Sequence, residues 1–124
     1  MKYQIPLHDM PEATGPYSIG TTAARHIYTS GIVAQGDDGE LIGGDARAQA
    51  SRILDLMEKI LAGVDLELSD VAKVTVFVTS MRDLEAVDEV MGDRFSLPMP
   101  ARTVACVSEL PLGACVQMDA VACR

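Results

Sequence analysis

The sequence predicts an α+β domain in which two helices pack on one face of a β-sheet. Two segments repeat apolar residues at helical spacing, and the other apolar segments alternate as strands do. The expected order is two or three strands, a helix, a strand, a helix and two strands. The chain has 124 residues, of which 48% are hydrophobic. That length supports one core, so we expect a single domain spanning residues 1–124.

The N-terminal third is predicted to supply the first strands and the first helix. Strands are expected at Tyr3–Ile5, Ser18–Thr22 and His26–Ala34, the last being rich in β-branched residues and tyrosine. Asp45 can cap the helix that follows, and Gly63 can end it. Its apolar stripe consists of Ile53, Leu54, Met57, Ile60 and Leu61.

The middle of the chain predicts a strand over Val71–Thr79 and then a second helix. In the strand, the two sets of side chains alternate between faces. One face carries Val74, Val76 and Val78, and the other carries Lys73, Thr75, Phe77 and Thr79. Ser80 and Asp83 resemble a capping box, and prolines at 98 and 100 stop the helix. Its apolar stripe consists of Leu84, Val87, Met91 and Phe95.

The last two segments, Arg102–Val107 and Ala114–Cys123, predict an antiparallel pair of strands around a turn that contains Pro111 and Gly113. If the turn centres between residues 110 and 111, Arg102 lies opposite Asp119. The segments VAKVTVFV and ACVQMDAVAC are apolar on both faces, whereas two helices can cover only one. We therefore expect a homo-oligomer that buries sheet against sheet.

Composition excludes several classes of function. The chain has 18 acidic and 10 basic residues, and its net charge of −8 repels phosphate backbones and anionic membranes, so nucleic acid is an improbable partner. No signal-peptide pattern and no apolar run of about 20 residues is visible, which predicts a cytoplasmic protein without a membrane span. The three cysteines show no zinc-ligand spacing, so a metal site is not expected.

Two charged residues interrupt apolar strands and are the candidates for chemistry. Arg102 precedes the run TVACV, and Asp119 lies inside CVQMDAVAC. A charge in such a strand costs several kcal/mol unless it is paired, hydrogen-bonded or facing a polar cleft. The spacing alone is equally compatible with a structural salt bridge between the two residues and with a binding site.

The chain resembles the Rid/YjgF family. The motifs that carry the resemblance are TGPYS, HIYTSG, DVAKVTVFVTSM, LEAVDEV, PARTVACVSELPLGA and VQMDAVA, and they cover almost the whole chain. This resemblance implies a chorismate-mutase-like fold assembled as a homotrimer, with ligand clefts between subunits. It also implies hydrolysis of 2-imino and 2-enamino acids, such as 2-aminoacrylate and 2-iminopropanoate, to 2-oxo acids and ammonia, without a metal or a cofactor.

The resemblance also implies roles for particular residues. Arg102 matches the arginine that binds the substrate carboxylate, and Asp119 matches an acidic residue near the attacking water. At the cleft, the matching positions are Tyr17, supplied by the neighbouring subunit, Ser30 with Gly31, Asp88, and Val104 through its backbone N–H. Three of these positions depart from well-characterised members, because Asp88 replaces asparagine, Asp119 replaces glutamate and Val104 replaces cysteine.

Other functions stay open on the sequence alone. A non-catalytic module could capture 2-oxo acids in the same cleft, and a pathway-specific enzyme of aromatic breakdown could act on a larger enamine. An RNA-cleaving or chaperone role lacks a basic patch and an aromatic stacking platform.

Overall fold

A computed structural model describes all residues from Met1 to Arg124. Six strands form one mixed sheet in the order β1-β2-β3-β6-β4-β5. Neighbouring strands are antiparallel except β4 and β5, which are parallel. The strands are β1 (Lys2–Gln4), β2 (Gly20–Ala23), β3 (His26–Thr29), β4 (Val71–Val78), β5 (Ala101–Cys106) and β6 (Val116–Cys123).

Two helices, α1 (Ala46–Ala62) and α2 (Leu84–Arg94), connect the later strands. The predicted cap of α1 is confirmed, because the Asp45 carboxylate accepts a hydrogen bond from the Ala48 N–H at 3.0 Å. Gly63 ends α1 as predicted. The capping box predicted for α2 is wrong. A 3-10 turn over Met81–Asp83 precedes α2, and Ser80 caps that turn instead, while the Asp83 side chain caps nothing.

Both helices cover the same face of the sheet, which confirms the predicted α+β layering. The valines of β4 that point towards the helices, Val74, Val76 and Val78, are fully buried. Lys73, Thr75 and Phe77 point the other way and stay partly exposed. We call this second surface of the sheet the open face. All residues of the two helix stripes predicted from the sequence belong to the core except Leu84.

The predicted hairpin of the last two strands is wrong. β5 and β6 do not pair, because β4 lies between them and pairs with both. The connection from Cys106 to Val116 covers residues 107–115, whereas hairpin loops usually have about two to five residues. The strand–helix–strand order of β4, α2 and β5 favours parallel pairing through a helical crossover, which is the arrangement observed.

No helix in the chain combines the length and the apolar character needed to cross a bilayer.

Candidate functional site

Arg102 lies near the start of β5, the last strand on its side of the sheet. Its position opposite Val74 directs the side chain towards α2, where the guanidinium Nη1 donates to the Asp88 carboxylate and lies 3.7 Å from the Met91 sulfur. The two charged side chains keep 30% and 47% of their surface exposed. They line a cavity of about 260 Å³ together with Met91, Gly92, Met99 and Pro100.

This geometry corrects the predicted partner of Arg102. Asp119 pairs in register with Thr75 and therefore lies on the open face, while Arg102 lies on the helix face. Within one chain, the two residues are on opposite sides of the sheet with β4 between them. The sequence favoured their pairing because it suggested a hairpin, so the error in topology produced the error in the salt bridge.

Ser30 and Gly31 lie at a bulge where the chain leaves β3. Tyr28 pairs with Val121, and Ile32 forms a bridge to Met118. The chain therefore advances four residues after Tyr28 while β6 advances three, which leaves one extra residue on the Ser30 side. An extra residue of this kind bends a strand and redirects its side chains. The predicted strand to Ala34 therefore ends at Thr29.

Hydrogen bonds between side chains and the backbone stabilise the bulge. The Ser30 hydroxyl donates to the Ser18 carbonyl at 2.6 Å, and the Thr29 hydroxyl accepts from the Ala120 N–H at 3.0 Å. These bonds hold Ser30 and Gly31 at the edge of the open face beside β6.

Gln117 is a site candidate that the sequence reasoning passed over. A Cβ atom added to Gly31 would lie 2.6 Å from the Gln117 side-chain nitrogen, so the amide lies directly over the bulge. Gln117 faces the same side of β6 as Asp119, two residues away. The sequence did contain a signal for Gln117, because this polar residue interrupts an apolar strand two positions before Asp119 and therefore on the same face.

Asp119 is partly buried on the open face between β3 and β4. Burial raises the pKa of its carboxyl, and the neighbouring Lys73 and Thr75 side chains oppose that rise without cancelling it. A carboxyl with a raised pKa binds a proton more readily than an exposed one, which suits a group that handles protons.

The predicted site residues do not all meet within one chain. Tyr17 is 51% exposed in the loop before β2 and makes no side-chain hydrogen bond within the chain. Val104 packs its partly buried side chain against the core. The residues therefore form two groups in one chain. Arg102, Asp88 and Val104 belong to β5 and α2, whereas Ser30, Gly31, Gln117 and Asp119 lie around β3 and β6.

A larger cavity, about 470 Å³, lies elsewhere. Arg94 borders it and donates to Asp55 at 2.9 Å and to Glu58 at 2.8 Å, which ties α2 to α1. The charge of Arg94 is already neutralised by these two carboxylates, so we assign Arg94 a structural role. Nowhere in residues 1–124 do three or more His, Cys, Asp or Glu side chains lie together as a set that could hold a metal ion.

Comparison with known proteins resolves the family. The family model described as endoribonuclease L-PSP matches residues 7–124. The chain belongs to this family, which is the Rid/YjgF family. It is 37% identical to protein DfrA of Myxococcus xanthus over 115 residues, covering 90% of this chain and 88% of that protein. The resemblance inferred from the motifs is therefore confirmed.

Two further Rid/YjgF relatives carry functional names. The chain is 33% identical to the human 2-iminobutanoate/2-iminopropanoate deaminase over 113 residues, covering 90% of this chain and 82% of that protein. The crystal structure of RidA from an Antarctic Psychrobacter superposes with a TM-score of 0.92 at 29% identity, covering 98% of this chain and all of that one. The Rid/YjgF fold thus extends over the whole chain.

Proposed function

We propose that this protein hydrolyses 2-imino and 2-enamino acids to 2-oxo acids and ammonia, without a metal or a cofactor. The observation that carries the proposal is the Arg102 guanidinium at a partly enclosed cavity of about 260 Å³. Only Nη1 of this guanidinium has a partner in the chain, so Nε and Nη2 remain free to donate. A planar fork of that kind binds a carboxylate through two parallel hydrogen bonds.

The proposed reaction adds water to the iminium carbon. The water oxygen bonds to that carbon and loses a proton to a base, for which Asp119 is our candidate. The nitrogen of the resulting carbinolamine gains a proton, the hydroxyl oxygen loses its proton and forms the C=O bond of the 2-oxo acid, and the C–N bond breaks to release ammonia. A 2-enamino acid first takes up a proton on its β-carbon and becomes the iminium that water attacks. Such imines hydrolyse without help, so positioning supplies much of the rate.

We propose that each site forms between two copies of the chain in a homotrimer. Arg102 and Asp119 lie on opposite faces of one sheet, so one chain does not bring them together. A neighbour that packs its open face beside β5 would present Ser30, Gly31 and Asp119 to Arg102, with Tyr17 completing the cleft. Burial of the open face also removes partly exposed Phe77 and Val121 from water.

The test is a coupled assay in which an amino-acid oxidase releases a series of imines. Their decay and the appearance of 2-oxo acid are followed with and without the protein, while light scattering reports the oligomer in the same buffer. We expect faster decay and a trimer. Imine lifetimes unchanged by the protein would exclude the activity, and a folded monomer would exclude the shared site.

A second candidate is a binding module for 2-oxo acids, favoured by the same free donors of Arg102. Such a module binds pyruvate but leaves imine lifetimes unchanged. RNA cleavage, which the family model's description suggests, is disfavoured by the net charge of −8. An enamine from aromatic breakdown belongs in the substrate series, because a preference for it would indicate a pathway-specific enzyme.

A further inference from the structure

The carboxylate next to Arg102 makes the cavity dipolar. Asp88 uses only Oδ1 to accept from Arg102, and Oδ2 has no partner within the chain. Arg102 likewise keeps Nε and Nη2 free. A positive donor set and a negative acceptor therefore stand side by side at one cavity, and a ligand can use both without breaking the bond between them.

A ligand with a carboxylate on one carbon and a cationic nitrogen on the next matches this arrangement. Its carboxylate can bond to the guanidinium, and its N–H groups can donate to Asp88. Protonated 2-imino acids and 2-amino acids have this shape and carry no net charge. A 2-oxo acid has the carboxylate alone, and its keto oxygen would face Asp88 as a second acceptor without a hydrogen between them.

We propose that Asp88 is a specificity residue that, with Arg102, selects zwitterionic 2-imino or 2-amino acids over 2-oxo acids. The inference rests on the proposed function, because it assigns a substrate form and a route of product release to the same site. The negative charge of Asp88 favours the protonated iminium, which water attacks more readily than the neutral imine. After hydrolysis the cation is lost, so Asp88 then weakens binding of the product.

The neighbouring residue on α2 supplies a matched control. Glu89 also pairs with an arginine, Arg47, and both side chains are about half exposed. Glu89 does not line the Arg102 cavity, and its pair links α2 to α1 instead. Asp88→Asn and Glu89→Gln each remove one negative charge from the same helix, and each leave an arginine with a neutral amide in place of its carboxylate partner. Only the first changes the pair formed by Asp88 and Arg102, which we call the zwitterion clamp.

The experiment is calorimetric titration of the full chain with alanine, as each enantiomer, and with pyruvate. We expect Asp88→Asn to raise the ratio of the alanine Kd to the pyruvate Kd about fivefold, the equivalent of one partly exposed charge interaction. Glu89→Gln should leave the ratio at its wild-type value. A structural role for Asp88 would instead change both Kd values together, or lower the melting temperature alone.

Two results would overturn the inference: an unchanged ratio in Asp88→Asn, and failure of the wild type to bind either enantiomer of alanine. Imine hydrolysis is measured on the same preparations. A wild type that hydrolyses imines but shows no effect of Asp88→Asn on the ratio refutes the zwitterion clamp alone. A wild type that leaves imines untouched refutes the proposed hydrolysis, while the ratio still decides the clamp.

Discussion

Replacing Arg102 by lysine tests the proposed carboxylate site most directly. The guanidinium holds Asp88 through Nη1 and keeps two further donors for a ligand, whereas one ammonium cannot serve both partners in fixed planar geometry. Loss of one charge-assisted hydrogen bond costs about 1.5–3 kcal/mol. Since about 1.4 kcal/mol corresponds to a factor of ten, kcat/KM for imine hydrolysis should fall about 10-fold to 100-fold.

Stability should change much less than activity in this variant. The Arg102–Asp88 pair keeps 30% and 47% exposure, so solvent limits its contribution to about 1 kcal/mol at most, or about 4 °C in melting temperature. Arg47→Lys is the control, because it alters another arginine paired with α2 outside the cavity. The assay compares both variants with the wild type at equal oligomer content. Wild-type turnover by Arg102→Lys would move the carboxylate site elsewhere.

Two further variants test the open face. Asp119→Asn should stabilise the fold at neutral pH, because burial raises the carboxyl pKa and so penalises the charged form. In unfolding curves, this gain in stability should fade as the pH falls towards the ordinary Asp pKa of about 3.9. Its kcat should nevertheless fall about 10²-fold if Asp119 activates water, and a stabilised variant with full kcat contradicts that role. Gly31→Ala should push the flexible Gln117 side chain aside and lower kcat/KM about tenfold or more with little change in melting temperature, while Gly43→Ala, which meets no neighbouring atom, should change neither. Equal activity of the two glycine variants would exclude Gln117 from the site.

Local patterns predicted the parts of the fold that depend on local physics. Alternation along β4 identified its buried valines, and the acceptor side chain of Asp45 together with the glycine at position 63 identified the ends of α1. The periodicity of apolar residues could not show that β4 would lie between β5 and β6, the two strands that follow it in the chain. Strand partners depend on contacts between distant segments of the chain. A turn signal at Pro111 therefore favours a hairpin only if no other strand lies between the two strands that it joins.

The candidate site was predictable as a list of residues but not as an arrangement. Arg102 and Asp119 stood out because charges interrupt apolar strands, and that signal does not depend on topology. Which residue each one contacts does depend on topology, so Asp88 as the partner of Arg102 and Gln117 beside Gly31 emerged only from the structure. The sequence did contain an indication of the first contact, because α2 is the crossover that places β5 beside β4.

Complementation between two defective variants tests whether each site is shared. If Arg102 and Asp119 in one site come from different chains, mixing Arg102→Lys with Asp119→Asn creates interfaces in which both native residues meet. Random reassembly of equal amounts from mild denaturant gives native residues at about a quarter of all sites, so about a quarter of wild-type activity should return. If both residues of a site came from the same chain, every site in the mixture would keep one defect and activity would stay at the level of the separate variants. Refolding each variant alone controls for the treatment, and mixed oligomers can be verified with a mass-tagged copy of one variant.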